Sequence, residues 1–129
     1  MFQIAVIDDE PSITKLLKLG FEDHFNCEVM TFNSSNEGFK KLLTHKFDLV
    51  VLDHRMPELT GMEIVRQLRS SNSMNASVKI LLLTGHLEEA ESFDPTILDQ
   101  VVFLQKPVTE SRILRWASFM LSVAQNKPA

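Results

Sequence analysis

The chain has little cysteine, no excess of basic residues and no long apolar run, and each shortage excludes a class of protein. Cys27 is the only cysteine, so disulfides and thiolate zinc clusters within the chain are excluded. The net charge of −4 argues against non-specific binding to nucleic acid, which requires a basic surface. No apolar stretch approaches the roughly 18 residues of a membrane span. The amino-terminal sequence MFQIAVIDDEP lacks the basic region of a signal peptide, so we expect a cytoplasmic protein.

The rest of the composition is that of an ordinary globular domain, with 44% hydrophobic and 23% charged residues. A length of 129 residues allows one domain with a single substantial core. We predict that this domain covers residues 1–125 and that residues 126–129 form a short tail.

Five short apolar segments predict β-strands. Three are almost continuously apolar, which is typical of parallel strands covered on both faces, whereas the more mixed EVMTF suits a sheet edge. The segments are FQIAVI (2–7), EVMTF (28–32), FDLVVL (47–52), VKILLL (78–83) and VVFL (101–104).

Segments with helical spacing separate the strands, and each begins near a residue suited to a helix start. This alternation predicts an α/β fold with a parallel sheet and right-handed crossovers. The starting residues are Pro11, Ser34 with Glu37, Thr60, and Thr109 before a last helix over residues 110–125.

Two segments depart from the regular pattern. We expect a short or broken helix over residues 85–100, because Pro95 cannot continue a helix interior. The last helix has more apolar residues than one buried face needs, and Trp116 and Phe119 are its candidates for meeting a partner.

Polar residues follow the strands. Asp8 and Asp9 follow the first strand, Asp53 the third and Thr84 the fourth, and Lys106 lies just past the fifth. In a doubly wound sheet with strand order 2-1-3-4-5, these carboxyl ends lie at one edge, where ligands bind. We therefore expect the five side chains to converge.

Three converging carboxylates need a cation, since two like charges about 4 Å apart repel by roughly 4 kcal/mol at an effective dielectric constant near 20. Oxygen ligands that leave room for water suit Mg²⁺. With the charge of Lys106 and the hydroxyl of Thr84, the set is suited to phosphoryl transfer onto a carboxylate. Taken alone, Asp9 could cap a helix and Thr84 could belong to a turn.

The sequence resembles the receiver domain of bacterial two-component response regulators over about residues 2–125. The likeness rests on VIDDEP, on VVLDHRMPELTG with its D-x-x-M-P-x-x-x-G spacing, on LLLTG and on VVFLQKP. It implies a flavodoxin-like, three-layer sandwich with five parallel strands in the order 2-1-3-4-5.

The resemblance also implies roles for individual residues. Asp53 would accept a phosphoryl group from the phosphohistidine of a sensor histidine kinase or phosphotransfer protein. Mg²⁺, or Mn²⁺, would be held by Asp8, Asp9, Asp53 and the backbone carbonyl of Arg55. Such a protein is a signalling phosphoacceptor that assists only its own phosphotransfer and dephosphorylation, not an enzyme with an external substrate.

On the same resemblance, Lys106 would pair with the phosphoryl oxygens and precede a cis bond to Pro107. Thr84 would hydrogen-bond the phosphoryl group, and Phe103 would change rotamer with it. The fourth helix, fifth strand and fifth helix of receivers often form the output surface, which would serve a homodimer or a downstream effector. We expect no direct contact with nucleic acid or membrane.

Four histidines and one arginine need separate interpretation. Arg55 and His86 would flank the phosphoryl group and tune its lifetime, unless both side chains point into solvent. His24, His45 and His54 have no metal-ligand spacing, and we predict that they lie at the surface.

Two enzyme or cofactor classes fit less well. A haloacid-dehalogenase-type phosphatase needs a second aspartate where Arg55 stands, and a flavin binder needs a phosphate loop where DDEP stands. Nucleotide-binding glycine motifs are absent. The remaining alternative is a degenerate receiver that acts as a phosphorylation-independent interaction module.

Overall fold

The computed structural model describes residues 1–88 and 95–125 of the chain. The predicted tail over residues 126–129 lies outside the described residues. Within residues 1–88 and 95–125, five strands alternate with four α-helices, and a short 3-10 helix, Pro95–Leu98, precedes the last strand. The elements are β1 (Phe2–Ile7), α1 (Pro11–His24), β2 (Cys27–Phe32), α2 (Ser35–Leu42), β3 (Leu49–Asp53), α3 (Gly61–Arg69), β4 (Lys79–Thr84), β5 (Val101–Gln105) and α4 (Glu110–Gln125).

The strands form one parallel sheet in the order β2-β1-β3-β4-β5, which confirms the predicted fold class and order. β2, the segment with the most mixed sequence, lies at an edge of the sheet. β3 is central, and all five of its residues are buried. Such burial explains why this segment is continuously apolar up to Asp53.

Two hydrophobic cores lie on opposite faces of the sheet, so the fold has three layers. Alternate residues of β1 enter different cores: Ile4 packs with α1 and α4, and Ala5 packs with α2 and α3. Both faces of the inner strands are therefore covered by helices. Among the described helices, none has both the length and the apolar run that a membrane crossing requires.

Side-chain caps set several helix starts as predicted. The Ser34 hydroxyl accepts a hydrogen bond from the Glu37 N–H, and the Thr109 hydroxyl accepts one from the Arg112 N–H. At α3, Thr60 and Glu63 form a reciprocal capping box. α1 begins with proline, but its N-cap residue is Glu10 rather than Asp9, which leaves the Asp9 carboxylate at the strand ends.

The segment between β4 and β5 contains no α-helix in its described part. Residues 95–98 form the 3-10 helix, and the predicted break at Asp94–Pro95 lies partly outside the described residues. Arg69 fixes this segment at the amino-terminal edge of the sheet. Its guanidinium donates hydrogen bonds to the carbonyls of Ile97 and Asp99, as well as to two carbonyls before β4.

Candidate functional site

The site lies where β1, β3 and β4 end. Ile7 pairs with Leu52 across β1 and β3, so Asp8 and Asp53, which follow them, are neighbours. Asp53 pairs with Leu83, which places Thr84 one residue further along the adjacent strand. The parallel register therefore brings polar residues from three strands to one edge.

Three carboxylates meet at this edge. One oxygen each from Asp8, Asp9 and Asp53 lies within 4.8 Å of the others. Asp8 is 5% exposed and Asp53 4% exposed, whereas Asp9 is exposed. At 4.8 Å and an effective dielectric constant near 20, each pair of charges repels by about 3–4 kcal/mol. The arrangement needs positive charge.

Lys106 supplies one positive charge. Its ammonium nitrogen lies 2.5 Å from Asp53 Oδ1, while its backbone N–H donates to the Thr84 carbonyl and its peptide bond to Pro107 is cis. The ammonium contact meets the distance of an ion pair but not the angles of a hydrogen bond. Oδ1 of Asp53 therefore accepts no hydrogen bond from any residue that the structure describes.

The electrostatic imbalance appears in the pKa of Asp8. Burial is the largest cause that raises this pKa, the negative charges of Asp53 and Asp9 also raise it, and the net result is a rise from 3.8 to about 6. A hydrogen bond from the Glu10 N–H and the positive charge of Lys106 act in the opposite direction without cancelling the effect. The ionised form of Asp8 is thus destabilised in the folded protein unless another cation is near.

These residues fit a hard divalent cation. One oxygen from each of the three carboxylates lies within 4.8 Å of the other two, and Oδ1 of the buried Asp53 has the Lys106 ammonium beside it but forms no hydrogen bond with a described residue. Mg²⁺ prefers such oxygen ligands and keeps several waters. Asp8, Asp9 and Asp53 are the side chains that would hold it.

The other predicted residues occupy different positions around the edge. Thr84 is buried, and its hydroxyl accepts a hydrogen bond from the His86 N–H at 3.1 Å. Phe103 is half-buried against the core beneath α2 and α3. The side chains of Arg55 and His86 are exposed, and the His86 ring lies 3.4 Å from the Glu88 carboxylate.

The prediction that His54 lies at the surface is wrong. It is 7% exposed, because the chain turns beneath the start of α3 directly after β3, and its Nδ1 lies 3.3 Å from the Met62 N–H. His24 is exposed, and His45 is half-buried, with its ring 4.8 Å from the Phe47 ring. The apolar run that ends at Asp53 and the glycine at the start of α3 flank His54 in sequence, but neither predicts its burial.

The sequence is similar to a known protein family and to individual proteins. The family model described as "Response regulator receiver domain" matches residues 4–117. The alkaline phosphatase synthesis transcriptional regulatory protein PhoP of Bacillus subtilis is 35% identical over 111 residues, which are 86% of this chain and 45% of PhoP. Response regulator ArlR of Staphylococcus aureus is 36% identical over 73 residues, 57% of this chain and 33% of ArlR. The chain therefore spans less than half the length of these relatives.

Solved receiver structures are also similar. A receiver domain protein (CheY-like) from Methanospirillum hungatei superposes with a TM-score of 0.83 at 22% identity, covering 99% of both chains. TrrA from Thermotoga maritima, solved in complex with Mg(2+)-BeF, has a TM-score of 0.77 at 27% identity and covers 93% of this chain and 99% of its own. The first of these likenesses concerns the fold alone.

Proposed function

This chain belongs to the response regulator receiver domain family, and on that premise we propose that Asp53 accepts a phosphoryl group in a reaction that requires Mg²⁺ or Mn²⁺. The donor would be the phosphohistidine of a sensor histidine kinase or phosphotransfer protein. The observation that carries the proposal is the buried Asp53 oxygen that faces Lys106 within the cluster of three carboxylates. TrrA, a relative in fold, was solved with Mg²⁺ and a beryllium fluoride.

In the transfer step, a carboxylate oxygen of Asp53 attacks phosphorus and the phosphorus–nitrogen bond of the donor breaks. The electron pair of that bond stays on the donor imidazole, which takes up a proton, and Asp53 becomes an acyl phosphate. A bound divalent cation supplies charge neutralisation for the phosphoryl oxygens. Asp8, Asp9, Asp53 and the backbone carbonyl of Arg55 would hold that cation.

Two side chains would bind the phosphoryl group from the opposite side. The Lys106 ammonium, already against Asp53, would move to a phosphoryl oxygen as the carboxylate charge is esterified. The Thr84 hydroxyl would donate a hydrogen bond to a second oxygen, and Phe103 would repack in response. Positioning by these groups is the assistance that a receiver gives to its own phosphorylation and dephosphorylation.

The switched surface would comprise the segment before β5, β5 itself and α4, which correspond to the fourth helix, fifth strand and fifth helix of other receivers. Phe119 of α4 is 62% exposed and Trp116 is half-buried, so both are available to a second copy or a downstream effector. A cytoplasmic location, without direct contact with nucleic acid or membrane by this chain, is part of the same proposal. The degenerate-receiver alternative is not favoured, because the acceptor set is complete.

Mass spectrometry of the intact protein tests the proposal. After incubation with acetyl phosphate and Mg²⁺, we expect one added phosphoryl group, and none when the metal is chelated. The adduct should be absent in Asp53→Asn and present in the control Asp23→Asn, since Asp23 is an exposed carboxylate on α1. An adduct of equal yield in Asp53→Asn would contradict the assignment of the acceptor.

We also propose that Arg55 and His86, both exposed near the strand ends, tune the lifetime of phosphorylated Asp53 by limiting the approach of water. Dephosphorylation of Arg55→Ala and His86→Ala would be followed after removal of acetyl phosphate. Changed rates are expected, and rates equal to that of the parent would remove the idea.

A further inference from the structure

A turn outside the carboxylate cluster contacts both loops that carry the cluster. This turn comprises Asn33, Ser34 and Ser35, between β2 and α2, and is called the β2–α2 turn below. On one side, the Asn33 amide donates a hydrogen bond of 2.8 Å to the backbone carbonyl of Asp8 and one of 3.1 Å to the Thr14 hydroxyl. The loop that carries Asp8 is thereby tied to the turn.

On its other side, the β2–α2 turn contacts the loop after Asp53. Ser35 is 1% exposed, and its hydroxyl donates to the Pro57 carbonyl at 2.7 Å and accepts from the Leu59 N–H at 2.9 Å. The Ser34 hydroxyl lies 3.1 Å from a carboxylate oxygen of Glu58. Both serines therefore reach across more than twenty residues of sequence to one short loop segment.

The contacted segment needs external support because of its backbone. Glu58 has a φ of 73°, the left-handed region in which a residue with a side chain is uncommon. Ser35 satisfies the backbone groups on both sides of Glu58, so the surrounding structure maintains this conformation. The same loop includes the Arg55 carbonyl, the proposed fourth protein ligand of the metal.

We propose that Asn33 and Ser35 are positioning residues, which together hold the Asp8–Asp9 loop and the loop after Asp53 at the separation that a divalent cation requires. The inference rests on the proposed function and extends it, since neither residue touches the metal or the phosphoryl group. Partners that orient metal ligands commonly affect metal affinity 10- to 100-fold, by the general behaviour of such residues.

The test compares Ser35→Ala with a control substitution, Ser73→Ala. Ser73 has the same kind of hydrogen-bonding arrangement but lies near the opposite ends of the strands. The Ser73 hydroxyl also donates to a carbonyl, that of Leu42 at 2.8 Å, and accepts from a backbone N–H, that of Asn75 at 2.9 Å. Ser73→Ala thus removes an equivalent pair of hydrogen bonds far from the carboxylates. Asn33→Ala, at an exposed residue, is the second test variant.

Three quantities would be measured on each variant: the Mg²⁺ dissociation constant by calorimetry, hydrogen exchange of the Leu59 amide without metal, and the rate of phosphorylation by acetyl phosphate. For Ser35→Ala we expect Mg²⁺ binding weakened about tenfold, faster exchange of the Leu59 amide and slower phosphorylation. Asn33→Ala should weaken Mg²⁺ binding without changing the Leu59 amide. Ser73→Ala should match the parent in all three.

Parent-like Mg²⁺ affinity in both test variants would overturn the inference while leaving the proposed function intact. Equal weakening in Ser73→Ala would also overturn it, because the effect would then follow general destabilisation. If Ser35→Ala does not fold, Asn33→Ala alone decides. If the parent neither binds Mg²⁺ nor takes up a phosphoryl group, the proposed function fails and the inference fails with it.

Discussion

Replacing Asp8 with asparagine should stabilise the metal-free protein at neutral pH. Asparagine keeps an oxygen that can accept the hydrogen bond from the Glu10 N–H, but it carries no charge. Burial and the neighbouring negative charge of Asp53 raise the pKa of Asp8 from 3.8 to about 6 in the folded state. Ionised Asp8 therefore opposes folding, and the substitution removes that opposition.

The size of the effect follows from the pKa difference. At about 1.4 kcal/mol per pKa unit, a rise from 3.8 to about 6 corresponds to about 3 kcal/mol in the free energy of unfolding. The folded state binds the proton more tightly, so the stabilising contribution of protonated Asp8 is complete below pH 3.8 and is lost as the pH rises through 6. The gain from Asp8→Asn should thus be near zero at pH 4 and complete above pH 6.

Urea unfolding of parent and variant between pH 4 and pH 8, with a chelator present, measures this gain. Asp9→Asn is the matched control, because Asp9 belongs to the same cluster but is exposed, and its gain should be smaller. Added Mg²⁺ should stabilise the parent more than Asp8→Asn, which lacks one ligand. A variant less stable than the parent throughout this pH range would refute the reasoning.

Three further predictions concern backbone space, loop anchoring and proton competition. Gly61→Ala should lower the free energy of unfolding, measured by chemical denaturation, by about 1–3 kcal/mol, because its Cβ would lie 2.7 Å from the Asp53 carbonyl oxygen. Gly85→Ala should be neutral, because its Cβ would have no neighbour within 4 Å. Equal effects of the two would contradict the close packing. Arg69→Ala should lower the free energy of unfolding by about 3 kcal/mol, because four carbonyls lose a hydrogen bond from a charged donor. A decrease below about 0.5 kcal/mol would show that water replaces the guanidinium. Mg²⁺ affinity measured by calorimetry should fall by up to roughly tenfold per pH unit below the Asp8 pKa of about 6, and an affinity independent of pH would remove Asp8 from the ligands.

The features predictable from sequence are those set by local pattern. The almost continuously apolar run of β1 predicts a strand covered on both faces. Thr60 with Glu63 marks a helix start through hydrogen bonds between residues only three positions apart. The carboxylates could be predicted to converge because parallel strands end together at one edge. Burial of His54 could not, since it depends on how α3 lies over the turn.

Contacts between residues distant in sequence also could not be predicted from local sequence pattern. Asn75 lies in a polar segment without sequence signal, yet it is fully buried and donates to the carbonyls of Leu42 and His45, about thirty residues away. Ser35 follows a helix cap in sequence, but its hydroxyl belongs to the loop after Asp53. A side chain whose partners are set by tertiary structure has no periodicity from which its role can be predicted.

The chain has one tryptophan and no tyrosine, so its near-ultraviolet emission arises from a single indole. That indole, Trp116, is half-buried and meets the Phe119 ring edge-on at 6.1 Å within α4, rather than among the strand ends. A change in fluorescence on adding phosphodonor would therefore time the arrival of a rearrangement at α4, with no spectral background from other fluorophores. This chain thus contains its own optical reporter of α4.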